Sequence, residues 1–181
     1  MRAGGVVVTP AAITGDLFGT SGAVLSPDEK YRYLLTRELG DGAPLVFIML
    51  NPSTADAEVD DPTIRRCIRF AARENAGHLV VVNLFALRAT DPRELARDPD
   101  PVGPRNDEFI LMHCGPGARI VAAWGAHPFA AARARTVARM VAGSGARLEC
   151  LGVTKDGHPR HPLYVRADAP LVPYTPSGST P

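Results

Sequence analysis

Four short stretches of this chain place polar and small residues directly after apolar runs. They are Asn51-Pro52-Ser53-Thr54-Ala55-Asp56, then Asn83-Leu84-Phe85, then Trp124-Gly125-Ala126-His127, and finally the loop from Thr154 to Pro162, which reads TKDGHPRHP. Each offers its own chemistry. The Asn51 amide can orient a water by accepting one of its protons, and Pro52 pushes Asn51 into an extended conformation. Asp56 is the alternative carboxylate in that loop if a general base is required, and Ser53 adds a hydroxyl. Asn83 is a polar residue inside an apolar run, so its amide must find partners, and its donor and acceptor together suit the edge of a base. Trp124-Gly125 ends a run with a broad ring and a residue tolerant of positive φ. His158 and His161 sit in a loop stiffened by Pro159 and Pro162. A fixed imidazole is suited to stabilising negative charge that grows on a leaving group. Lys155 and Arg160 supply cationic donors beside it.

Every one of these residues also has an ordinary structural account. Asn51 is a turn residue bonding its own loop, Asn83 a satisfied buried amide, and Trp124-Gly125 a core ring followed by a turn glycine. The histidine loop is a solvated loop. Arg65, Arg66, Arg69 and Arg73 fall opposite the apolar face of a helix; with Arg133, Arg135 and Arg139 they offer phosphate contacts or simply a solvated polar face. Asp60 and Asp61 read as a helix N-terminus.

Several common chemistries are absent. No GxGxxG follows a strand, and neither a P-loop nor a GxSxG nucleophile elbow occurs. The two prolines of HPRH argue against a helix that presents both rings to one metal, and His113-Cys114 lacks partners at ligand spacing. No metal and no cofactor is expected. Cys67, Cys114 and Cys150 are far apart with no CxxC, which reads as reduced thiols.

The elements that position these residues alternate. PLVFIML (44–50), HLVVVNL (78–84), ARIVAAW (118–124) and RLECLGV (147–153) are continuous apolar runs, expected for strands buried on both faces. Between them lie helices: one opened by Asp61-Pro62 with Ile64, Cys67, Ile68, Ala71 and Ala72 on its apolar face, one from Pro104 to Cys114, and one from Pro128 to Val141. YRYLLTREL (31–39), ending at GDG, adds an antiparallel edge strand. The pattern predicts an α/β fold of three layers, α/β/α, around a mainly parallel sheet. Ligands of such sheets bind beyond the carboxyl ends of the strands, where the four polar stretches fall. Residues 1–24 read as an irregular arm with room for one short strand, 25–166 as one domain, and 167–181 as a loose Pro/Ser-rich tail.

The chain has 181 residues, 45% hydrophobic and 22% charged, which fits one globular domain and excludes a wholly disordered chain. Twenty Lys and Arg against 19 Asp and Glu leave a net charge of +1, so nucleic-acid contact would need a local basic patch. The apolar runs fall short of a membrane span and the N-terminus lacks a signal-peptide core, so a soluble, cytoplasmic protein with no membrane partner is expected.

The blocks YRYLLTR, IMLNPSTAD, DDPTIRR, VVVNLFALRATDP, AAWG and KDGHPRHPLY are similar to an uncharacterised bacterial and phage family, DUF1643, over about residues 25–165. A more distant resemblance, to the uracil-DNA glycosylase superfamily, rests on four blocks in order: Met49-Leu50-Asn51-Pro52-Ser53 at the position of a water-activating loop, a strand ending in Asn83, Ala-Ala-Trp124-Gly125 for Leu-Trp-Gly, and His161-Pro162-Leu163, or His158-Pro159, for the histidine loop. Met49 and Ser53 depart from the pattern of the first loop. The resemblance implies a glycosylase-like fold and an enzyme acting on the N-glycosidic bond of a base in nucleic acid or a nucleotide. Asn51, with or without Asp56, would hold the water. Asn83 would bind the base edge, with Phe85, Trp124, Gly125 and His158 near it. His161 would donate to the base oxygen, and Arg160, Lys155 and Ser53 would bind phosphate or sugar. A non-catalytic nucleic-acid-binding module and an enzyme on free nucleosides or nucleotides are the alternatives.

Overall fold

The computed structural model describes residues 21–53 and 60–176, and the backbone of 12–14. Eight strands form one mixed sheet: β1 (Ala12–Thr14), β2 (Gly22–Leu25), β3 (Arg32–Glu38), β4 (Pro44–Met49), β5 (His78–Asn83), β6 (Arg119–Ala122), β7 (Leu148–Cys150) and β8 (Val172–Tyr174). Their spatial order is β1-β2-β3-β5-β4-β6-β7-β8. The four central strands, β5, β4, β6 and β7, are parallel. The four flanking pairings are antiparallel and outnumber the three central ones, so the sheet is mixed with a parallel core rather than mainly parallel: strands added outside the helix-connected core pair antiparallel. The helices are α1 (Pro62–Arg73), α2 (Asn106–His113) and α3 (Ala130–Gly143).

The apolar runs give this sheet because alternate residues bury on opposite faces. Leu45, Phe47, Leu79, Val81 and Val121 pack with Ile64, Cys67, Phe70 and Ala71 of α1. Val46, Ile48, Val80, Val82, Ile120 and Ala122 pack with residues of α2 and α3. Helices therefore cover both faces of the sheet, as the sequence pattern requires. The Asp61-Pro62 start of α1 is built as expected: the Asp61 carboxylate accepts from the Ile64 N–H at 2.8 Å. Phe70 replaces Ala72 on the buried face, since Ala72 is exposed.

Three further expectations are corrected. The strand at 32–38 is antiparallel but not an edge, because β2 and then β1 pair outside it. Residues 1–24 hold two strands, β1 and most of β2, where one short strand was allowed for, because the segment lacks the alternation of a half-buried strand. The segment 167–176 is not loose: β8 pairs with β7, and Tyr174 is buried with its ring edge-on to Trp124 at 5.8 Å. Pairing with β7 and one aromatic ring with a place in the core together dock a Pro-rich stretch that composition alone reads as tail.

α1 follows β4 on one face of the sheet, and α3 follows β6 on the other. Chains leaving two neighbouring strands for opposite faces open a crevice between the strand ends.

Candidate functional site

That crevice holds a cavity of about 420 Å³, within the range of small-molecule sites. Its wall includes Asn51 and Ser53 after β4, Asn83 at the end of β5, Trp124, Gly125 and His127 after β6, and His161 from the loop after β7. The four polar stretches, scattered over more than 100 residues of sequence, thus meet at one place. They do so because each leaves the same end of the sheet.

Asn51 is fixed by both amide hydrogens. Its Nδ2 donates to the Ala89 carbonyl at 2.8 Å and to the Pro52 carbonyl at 3.0 Å. The Ala89 N–H in turn donates to the Pro52 carbonyl at 3.0 Å, so the loops after β4 and β5 clamp one another. Two carbonyl partners orient the amide without ambiguity, and its remaining capacity is the Oδ1 acceptor. The turn-residue account of Asn51 is therefore right for its nitrogen, and its Oδ1 accepts no hydrogen bond among the described residues. Ser53 donates its Oγ–H to the Asp61 carboxylate at 3.0 Å.

Asn83 is 2% exposed and lines the cavity, and its side-chain amide has no hydrogen-bond partner among the described residues. Strand alternation explains its direction: Leu79 and Val81 face α1, and residue 83 continues that face just beyond the first turn of α1. The strand end is braced from behind. The buried Asn106 donates its Nδ2 to the carbonyls of Asn83 at 2.9 Å and Leu84 at 3.1 Å, and Arg133 donates Nε to the Leu84 carbonyl at 2.8 Å.

Between His158 and His161, the structure brings His161 to the cavity. Its Nδ1 accepts from the Leu163 N–H at 3.3 Å, which leaves the ring proton on Nε2. Burial pushes the imidazole below its ordinary value of 6.5, with the Asp61 charge opposing. A neutral ring with an Nε2–H donor results near pH 7. Gly125 takes φ of 76°, and a Cβ there would sit 3.5 Å from the His161 Cβ, so the Trp-Gly exit and the histidine loop touch. Arg66 of α1 holds the loop, donating to the carbonyls of Pro162 at 3.3 Å and Val165 at 2.6 Å. Tyr164 stands at the rim, 79% exposed, with its ring 5.6 Å from that of His161.

Other expected site residues lie elsewhere. Phe85 is buried against Phe129 with ring centroids 5.2 Å apart, because it points into the α3 side of the core. Lys155 and Arg160 are exposed and His158 half-buried, none of them on the cavity wall. Arg160 bonds the Val153 carbonyl and His158 closes a backbone turn with Thr154. The turn from Thr154 to Pro159 carries these three away before His161 returns to the strand ends. Asp56 lies outside the described residues. The arginine face of α1 is partly a brace: Arg66 and Arg73 hold carbonyls of the 162–167 segment, and both guanidinium groups lie over the Phe70 ring.

Sequence reasoning missed several cavity residues. Asp61 is both helix cap and cavity carboxylate. Thr63 and Thr90 also contribute; His127, which the sequence placed at a strand exit without a role, lines the wall with its Nδ1 buried and unpartnered among the described residues. Most informative is Arg32, which is 5% exposed, lines the cavity, and has no hydrogen bond or ion pair from its guanidinium among the described residues. Its Nε is sealed from solvent. Burial pulls this guanidinium down to about 10, with Asp61 opposing and Arg88 and Arg37 adding to the fall. The available signal was a charged residue inside the apolar run YRYLL, where a buried charge demands a partner.

Among the described residues no cluster of three or more His, Cys, Asp or Glu is placed to hold a metal, and no helix is long and apolar enough to cross a membrane. All three cysteines are buried and free. Comparison with curated proteins and with solved structures returns no match. The model of one family, described as a protein of unknown function (DUF1643), matches residues 32–163, a span that begins at Arg32 and includes His161. The chain belongs to the DUF1643 family.

Proposed function

We propose that the cavity binds a nucleobase with its sugar and that the protein hydrolyses the N-glycosidic bond between them. The observation that carries this reading is the convergence of Asn51, Asn83, Trp124-Gly125 and His161 on one cavity of about 420 Å³. These are the blocks in which the chain resembles uracil-DNA glycosylases. In the reaction the C1′–N bond breaks and its electron pair leaves with the base. The Nε2–H of His161 stabilises the charge that grows on the base oxygen. Asn51 Oδ1 accepts a hydrogen bond from a water whose oxygen bonds to C1′, and the proton lost by that water passes to solvent. A dissociative transition state needs little proton removal early, so a neutral amide suffices to position the water. The Asn83 amide, with no partner among the described residues, pairs with the base edge.

A free nucleoside or nucleotide is favoured over a polynucleotide as substrate. The net charge is +1, and Arg66 and Arg73 are engaged with the protein's own backbone. The test is base release, followed by chromatography, from nucleosides, nucleotides, and single- and double-stranded oligonucleotides. Release by the wild type, lost in Asn51→Ala and His161→Ala, supports the reading. Salt-dependent binding to oligonucleotides with no base released would leave a binding module in its place.

A further inference from the structure

A buried arginine without a counter-ion is costly, because its charge is removed from water and nothing replaces the lost solvation. Arg32 is in that position: 5% exposed, on the cavity wall, unpaired among the described residues. It opens β3 beside the exit of β5, where its own N–H donates to the Ala86 carbonyl at 2.9 Å. The backbone anchor fixes where the side chain starts, and the sealed Nε leaves the two terminal nitrogens to meet a ligand. The only carboxylate on the described cavity wall is Asp61, which already accepts from the Ile64 N–H and the Ser53 hydroxyl. Arg37 and Arg88 add positive charge from outside the wall.

We propose that the cavity takes an anionic substrate whose terminal oxyanion, a phosphate monoester or a carboxylate, docks on the two terminal nitrogens of Arg32. Planar paired N–H groups match two oxygens of either group. The inference rests on the glycosidic-bond reading to the extent that it specifies the substrate as a nucleotide with a terminal phosphate. A terminal group is favoured over an internal phosphodiester because Arg32 is buried: one chain end can reach it, whereas a phosphodiester must let the strand leave in two directions.

Calorimetric titration of the purified protein with a nucleoside, its 5′-monophosphate, inorganic phosphate and acetate tests this, with Arg32→Gln and Arg32→Lys checked for folding by melting. The monophosphate is expected to bind at least tenfold more tightly than the nucleoside. Arg32→Gln should erase that advantage, and Arg32→Lys should reduce it severalfold, since one ammonium cannot replace a planar fork. If Arg32→Gln does not fold, the wild-type comparison and Arg32→Lys decide; an advantage undiminished in Arg32→Lys overturns the proposal. Equal binding of nucleoside and monophosphate also overturns it while leaving the base reading intact. Conversely, phosphate that raises the Tm of the wild type but not of the variant, with neither nucleoside nor nucleotide bound, upholds the oxyanion site and removes the base. Protection by acetate in place of phosphate assigns the oxyanion as a carboxylate. An oligonucleotide lacking a terminal phosphate that outcompetes the monophosphate overturns the terminal-group assignment.

Discussion

Asn51 shows how one side chain can serve structure and chemistry through different atoms. Its Nδ2 ties two loops together, and its Oδ1 is left over. Asn51→Ala should therefore abolish turnover and also cost stability, roughly 2 kcal/mol for two hydrogen bonds of about 1 kcal/mol each. At this chain length that is a Tm fall of roughly 4–8 °C, and an unfolded variant would make the residue purely structural. Asn83 has no such bond to lose. Asn83→Asp should keep the fold and change which base binds, measured by competition among free bases; an unchanged preference removes its role as reader. For His161 the expectation is a pH profile. Its burial-lowered pKa keeps the ring neutral above the ordinary 6.5, so turnover should be flat from pH 7 to 9 and fall on acidification. His161→Gln should remove the acidic limb along with most of the rate.

At the scale of elements, α1 serves the site in two places. The start of α1 supplies Asp61 and Thr63 to the cavity wall, and its far face supplies Arg66 to the histidine loop. Arg66→Met keeps much of the packing over Phe70 but drops both carbonyl contacts. We expect faster amide exchange at residues 161–165 and a lower kcat with little change in Tm. Exchange like that of the wild type would show that the loop holds itself. The opposite end of the sheet has its own constraint. A Cβ on Gly77 would lie 2.4 Å from the Gly42 carbonyl oxygen and 2.5 Å from its nitrogen, both backbone atoms that cannot move aside. Gly77→Ala should cost at least about 2 kcal/mol, read as a lower melting temperature with base binding unaltered in the folded fraction.

For the whole molecule, acid should be the destabilising direction. His161 and His113 both sit below their ordinary value of 6.5, chiefly through burial. Between the lowered folded values and 6.5 the unfolded chain binds more protons, so stability falls as pH drops through that window. Glu74, whose carboxyl is lowered first by Arg119 and then by Arg73, loses its advantage as pH falls further, through the carboxylate range. Both effects have one sign, and chemical denaturation from pH 8 to pH 4 should show a monotonic loss. A maximum near pH 5 would contradict the assignment of buried neutral histidines. The near-neutral net charge also predicts weak, non-specific binding to duplex DNA.

The alternation of apolar runs and helix signals was enough to specify a helix-covered sheet with a parallel core, because strands buried on both faces read as continuous apolar runs. It also placed the candidate residues at the strand exits. Composition misled at the margins: β8 and the outer strands β1 and β2 are short, and partners distant in sequence decide whether such segments pair. The resemblance gave His161 the donor role and kept His158 beside it, and only the tertiary structure took His158 off the cavity wall, since the two differ by a single turn of loop. Only the tertiary structure showed Asp61 on the cavity wall and Arg32 buried without a partner among the described residues. Periodicity reports which face a residue takes, whereas the presence or absence of a counter-ion depends on what the rest of the chain brings alongside it.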